Sequence, residues 1–124
     1  MTDRLPPQDI HAEQSVLGSL MIDKEAGSKI SDFLRPESFY KDAHRMIYEA
    51  IIQLFQKNEP IDLVTISAQL EGMKKLEAVG GRLYLTDLIN SVPTAANVDY
   101  YAHIVDEKAI LRSLITAGGE MASN

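Results

Sequence analysis

The sequence predicts an all-α domain, a compact orthogonal bundle of about six helices whose last helix projects beyond the rest. Three observations carry this reading. Apolar residues recur with the 3.6-residue helical period in one segment after another. Helix-start residues (Asp9, Asp62, Thr94) and helix-stop signals (Pro36, Asn58-Glu59-Pro60, Pro93) punctuate the chain between those segments. Strand evidence is thin: Ile61 to Ile66 holds β-prone residues, but an N-cap at Asp62 accounts for them better.

Pro6-Pro7 is an extended leader and Asp9 caps the first helix, in which Ile10, Val16, Leu17, Leu20 and Met21 keep the period. Gly18 lies inside that helix at a cost of about 1 kcal/mol relative to Ala, so close packing against another helix is its expected reason. Asp23 opens a second helix through about Leu34, with Ile30, Phe33 and Leu34 apolar, and Pro36 breaks it. Phe39 and Tyr40 plug the connection to a third helix, Asp42 to Lys57, which buries Ile47, Ile51, Leu54 and Phe55. Asp62 caps a fourth, with Val64, Ile66 and Leu70 behind it. Met73 to Val79 is a polar connector, Gly80-Gly81 a turn, and Leu83, Leu85, Leu88 and Ile89 mark a fifth helix. Pro93 ends the fifth helix and Thr94 caps the last.

A chain of 124 residues, 45% hydrophobic, suits one domain with a real core. With no cysteine there is no disulfide framework and no thiolate metal site, which fits a reducing cytosol. The opening Met1 to Pro7 lacks the apolar run of a signal peptide. No apolar stretch approaches the roughly 20 residues a membrane span needs. The net charge of −6 makes the domain a poor DNA binder by itself, because that affinity comes from Lys and Arg meeting phosphates. Lys74, Lys75 and Arg82 form the densest basic cluster, and Glu71, Glu77 and Asp87 dilute it.

No catalytic constellation emerges. Gly80-Gly81-Arg82 lacks the spacing and the Lys of a phosphate-binding loop. His11, His44 and His103 are scattered, without the paired spacing of a zinc site, and His44 reads as a helix-face or core-edge residue. No serine sits in a nucleophile elbow. The chain by itself does not read as an enzyme. The alternative is a DNA-binding regulator with a helix-turn-helix-like element over Asp62 to Asn90. A reading helix there offers Arg82 and Asn90 to base edges, but also Asp87 and five large hydrophobics.

The last helix changes face along its length. At about 100° per residue, Val98, Tyr101, Ala102, Val105 and Ala109 form a seam toward the core. Ile110, Leu111, Leu114 and Ile115 cluster on roughly the opposite side, and Arg112 returns near the seam. A straight helix cannot bury both stripes in one small bundle: either it kinks or frays, or the second stripe meets another chain or sequence beyond Asn124, and the latter is expected because four large aliphatics would otherwise form an exposed patch.

Taken together, Pro6-Pro7-Gln8, Ala12-Glu13-Gln14, Val16-Leu17-Gly18, Phe39-Tyr40, His44, Pro60 to Thr65, Gly80-Gly81, Tyr84-Leu85, Val92 to Asn97 and Tyr100-Tyr101 resemble the N-terminal domain of bacterial replicative DNA helicases of the DnaB type. The resemblance implies a helical head over residues 1–97 and, over 98–124, the first arm of a projecting helical hairpin. Gly118-Gly119 departs from the family pattern, and fraying or bending is expected there. The resemblance further implies a cytoplasmic ring hexamer that unwinds DNA, with ATP and Mg²⁺ held in a C-terminal RecA-like domain and no cofactor in this fragment. The N-terminal domains would pair with one another, recruit the helicase-binding C-terminal domain of the primase and, in some systems, meet a helicase loader. DNA would be met only through the full-length ring. Candidate partner-binding residues, for the primase or for self-association, are Tyr84 beside the Gly-Gly turn and the aliphatics Ile110, Leu111, Leu114 and Ile115. Tyr84 reads equally as a core tyrosine, with Leu83, Leu85 and Leu88 around it.

Overall fold

The structure is a computed structural model that describes residues 5–23, 25–92 and 97–122. Among the described residues six helices follow in order: α1 (Ile10–Ile22), α2 (Ala26–Ile30), α3 (Asp42–Gln56), α4 (Leu63–Gly72), α5 (Gly81–Asn90) and α6 (Val98–Ala122), with a 3-10 turn at Pro36–Ser38 between α2 and α3. No strand occurs among the described residues. The expected signals at Pro93 and Thr94 lie outside the described residues.

Helix α1 is the axle. It packs most extensively on α6 and α5, and also on α3 and α2. The Asp9 side chain accepts the Ala12 N–H at 2.9 Å, the expected cap. Gly18 justifies itself by contact. A Cβ there would fall on the Leu88 carbonyl oxygen and 2.5 Å from Val92 Cγ2. Only glycine lets the end of α5 approach α1 this closely.

The second helix is shorter than its apolar pattern predicts. Asp23 closes α1 as its C-cap, and its carboxylate accepts the Glu25 N–H at 3.0 Å, so it makes a hinge rather than opening a helix. Helix α2 therefore starts at Ala26. After Ile30 the chain turns, and Arg35 is extended (φ −120°, ψ 163°), as a residue before proline must be. Leu34 and Phe39 still reach the core. The Tyr48 hydroxyl, on α3, donates to the Leu34 carbonyl at 2.8 Å, and burial pushes its phenol up to about 12.

Three residues expected inside are exposed. Phe55 sits at the edge of the buried stripe of α3 (Ile47, Ile51, Leu54) and borders a shallow groove with Glu25, Pro60 and Ile61. Val64 is in the first turn of α4, ahead of the buried pair Ile66 and Leu70. Leu83 is two residues before Leu85, hence about 200° round the helix from the buried face of Leu85 and Leu88. Asp62 caps α4 as expected and reciprocally: it accepts the Thr65 N–H at 2.9 Å while Thr65 Oγ1 accepts its own N–H at 2.9 Å.

Candidate functional site

Helix α6 has two faces, and the change between them occurs within one turn. Val98, Ala102 and Val105 are buried in the core formed with α1 and α2. The Phe33 ring stacks on His103, 4.5 Å between centroids, and adds a hold from the α2 side. Beyond Ala109 the side toward the head is polar. Arg112 donates from Nη1 to the Pro7 carbonyl and from Nη2 to the Ser38 carbonyl, both at 2.8 Å. Its guanidinium also lies 5.6 Å from the centre of the Tyr40 ring, within cation–π range. Burial pulls the Arg112 guanidinium below its ordinary value, and the Glu13 carboxylate opposes that pull. Arg112 thus clamps the helix to the head. On the other side Ile110, Leu111, Leu114 and Ile115 stand between 40 and 62% exposed. The helix continues through Gly118 and Gly119 to Ala122, where fraying or bending was the expectation.

A second feature lies under the surface. Glu13 and His44 are 1% and 0% exposed, so His44 is at the centre of the domain, not on a helix face or at the core's edge. His44 Nδ1 is 2.7 Å from Glu13 Oε1, and His44 Nε2 is 2.6 Å from the Tyr84 hydroxyl. Glu13 also accepts the Tyr40 N–H at 2.6 Å and the Lys41 N–H at 3.4 Å. A buried carboxylate is costly unless its lone pairs are used, and here three donors converge on it. With Glu13 acting only as acceptor, Nδ1 carries the proton it donates. In the neutral ring Nε2 then accepts the Tyr84 O–H. Gln14 Nε2 completes the chain by donating to the Tyr84 oxygen at 3.4 Å. Among the described residues no buried side-chain nitrogen or oxygen lacks a partner.

Tyr84 is placed there by the turn that precedes it. Gly80 has φ +107°, and a Cβ on it would sit 2.8 Å from Tyr84 Cβ. Both facts require glycine at that position. The Tyr84 ring lies nearly parallel to His44 (10°, 5.9 Å), and Lys41 Nζ is 5.0 Å from its centre. Tyr84 is half-buried: its hydroxyl is bonded to the buried His44, and the exposed Lys41 lies over its ring.

The expected partner residues therefore form two separate groups. Ile110, Leu111, Leu114 and Ile115 share one exposed face of α6, whereas Tyr84 belongs to the start of α5. Sequence reasoning missed the relay that holds Tyr84, because its members are 31 and 40 positions apart. One local signal was available. Glu13 lies in the apolar stripe of α1 with Ala12, Val16, Leu17 and Leu20, and a lone carboxylate in such a stripe demands a buried partner. Among the described residues, no cluster of three or more His, Cys, Asp or Glu could hold a metal ion, and no helix is long and apolar enough to cross a membrane.

Known proteins are similar to this chain in sequence and in fold. The chain is 49% identical over its whole length to the replicative DNA helicase DnaC of Bacillus subtilis. It is 46% identical over 99% of its length to the replicative DNA helicase DnaB of Geobacillus stearothermophilus. It spans only 27% of each of those proteins. The crystal structure of the N-terminal domain of DnaB helicase from Mycobacterium tuberculosis superposes with a TM-score of 0.93 at 48% identity, covering 96% of this chain and 86% of that one. A DnaB-like replicative helicase, solved in a study of its interactions with primase, gives 0.83 at 30% identity, covering 94% of this chain and 27% of that one. These matches do not favour the helix-turn-helix alternative. The family described as the DnaB-like helicase N-terminal domain matches residues 5–107, and the chain belongs to it.

Proposed function

We propose that this chain is the assembly and protein-interaction domain of a hexameric replicative DNA helicase, and that the exposed face of α6 is the surface on which it pairs with a second copy. The observation that carries this is the division of α6 at one turn. Arg112 fixes the helix to the head while four aliphatics face away from it. Exposing such a patch is unfavourable unless something covers it. An uncharged aliphatic face is self-complementary, and a two-fold pair of α6 helices would bury it against itself. In this reading residues 98–124 are the first arm of a helical hairpin, and the return arm follows Asn124.

The same domain recruits the primase through its C-terminal helicase-binding domain. Tyr84, away from the face that pairs, is the contact proposed for it. Support comes from the related DnaB-like helicase studied for its interactions with primase. The full-length protein unwinds duplex DNA in the bacterial cytoplasm, using ATP and Mg²⁺ in a RecA-like domain that follows this one. This domain contributes assembly and docking, and meets DNA only as part of the ring.

Calorimetric titration of the chain with the cognate primase C-terminal domain tests the recruitment. Heat and a complex are expected for the native chain, and a weaker complex for Tyr84→Ala. No complex at high micromolar concentration would remove primase binding from this domain.

A further inference from the structure

The relay under Tyr84 and the clamp on α6 share one residue. From α5 inward, the Tyr84 hydroxyl meets His44 Nε2 at 2.6 Å and His44 Nδ1 meets Glu13 at 2.7 Å. Glu13 holds the Tyr40 N–H at 2.6 Å, and the Tyr40 ring lies under the Arg112 guanidinium that pins α6. The Glu13 charge also acts on Arg112 directly, opposing the effect of its burial. The path thus starts at the half-buried Tyr84 ring on α5, runs through two fully buried side chains, and ends at the residue that holds the partner-facing turn of α6.

We infer that Glu13, His44 and Tyr40 are positioning residues that couple the Tyr84 surface to the late face of α6, so that a change at either surface alters the hold on the other. The physical reason is the lack of slack. Each buried member has its hydrogen bonds filled, and the bonds to Glu13 are charge-assisted, so removing one partner leaves a buried polar group unsatisfied. Such a group cannot relax into water and must instead draw on its neighbours in the network. A partner that turns or displaces the Tyr84 ring takes the hydroxyl from His44, and the loss is passed to Glu13 and from there to Tyr40 and Arg112. This gives the domain a route by which docking at one surface is felt at the other.

The test needs no partner, so its outcome is independent of whether primase or a second copy binds at either end. Tyr84→Phe deletes one hydroxyl and keeps the ring. In NMR spectra of the 124-residue chain, it is expected to displace the Arg112 guanidinium resonance. Exchange of the guanidinium protons with solvent should accelerate at least about twofold, the lower end of what packed networks transmit. Amides of α4, off the path, should keep their rates. In the other direction Arg112→Gln should displace the His44 ring nitrogen resonances, and Arg112→Lys, which restores the charge without the fork, should recover them in part. Tyr40→Leu keeps the backbone bond to Glu13 but removes the ring under Arg112, and should reduce the Arg112 response to Tyr84→Phe to what the Glu13 charge transmits directly. An unchanged Arg112 in Tyr84→Phe overturns the inference, and so does a uniform acceleration throughout the domain. Tyr84→Phe keeps the fold's apolar contacts, so the inference stays testable even if Arg112→Gln fails to fold.

Discussion

Replacing Gly18 by alanine would normally help a helix by about 1 kcal/mol. Here it should do the reverse. The new methyl would fall on the Leu88 carbonyl oxygen, 2.5 Å from Val92 Cγ2 and 3.1 Å from the Leu88 carbonyl carbon. Carbon atoms settle near 3.5–4.0 Å, so α1 and the end of α5 must separate by about 1 Å. The nearest obstacle is backbone at the last turn of a helix, which cannot rotate out of the way as a side chain would. Overpacking of this kind costs about 1–3 kcal/mol, and an unyielding backbone carbonyl puts this case at about 2–3 kcal/mol, above the propensity gain. The net loss is then about 1–2 kcal/mol, or a fall in Tm of roughly 4–8 °C for a domain of this size. The same displacement draws α5 away from α1, so the Tyr84–His44 bond should loosen with it. Urea unfolding followed by circular dichroism reads the stability, and Gly72→Ala supplies the contrast: nothing lies within 4 Å of a Cβ there. That variant should be neutral or gain a few tenths of a kcal/mol. A Gly18→Ala protein as stable as the native one would refute the close-contact explanation of this glycine.

Other consequences can be measured on the same chain. His44→Leu should cost about 2–4 kcal/mol in urea unfolding, because it leaves the Glu13 carboxylate buried with one charge-assisted bond fewer and strands the Tyr84 hydroxyl. Restoring native stability with leucine would mean that the relay contributes nothing to the fold. Tyr48 makes stability depend on alkaline pH. Its phenol is raised to about 12 in the fold against 10.0 for the free group, so the folded state keeps the proton longer. The stabilisation is complete below pH 10 and is lost as pH rises through about 12, amounting to about 2–3 kcal/mol. Unfolding curves between pH 9 and 12 should show this fall in the native chain and a flatter profile in Tyr48→Phe. Asp62→Ala removes the reciprocal cap of α4 and should cost about 1 kcal/mol, measured as a lower urea midpoint with an unchanged slope.

Local rules accounted for what was local. Asp9 and Asp62 cap their helices because a short carboxylate reaches an unpaired N–H wherever the chain enters a helix. The seam of α6 and its displaced second stripe follow from angular spacing alone, and Arg112 lies on the seam side where that spacing puts it. Gly18 signalled a close approach without saying to what, since its neighbour on α5 is 70 residues away. The failures have the same origin. Phe55, Val64 and Leu83 are apolar residues whose exposure depends on which helix packs where, and hydrophobicity does not say that. Asp23 resembles an N-cap in sequence but serves as the hinge between α1 and α2, and only the backbone path distinguishes the two. The Glu13–His44–Tyr84 relay is wholly tertiary: three polar residues from three helices, each unremarkable beside its own neighbours in sequence.

The central claim is that the late face of α6 is where this domain meets a second copy. Sedimentation equilibrium on the native chain and on Leu114→Asp, at concentrations up to about 1 mM, tests it most directly, since even a 4 kcal/mol association is visible there. In a two-fold pair each copy loses one buried leucine, about 1.5–3 kcal/mol per side, so self-association should weaken by at least about a hundredfold. The account predicts concentration-dependent dimers for the native chain and monomers of unchanged helical content for Leu114→Asp. A native chain that stays monomeric throughout, or a Leu114→Asp variant that dimerises as well as the native one, would contradict it.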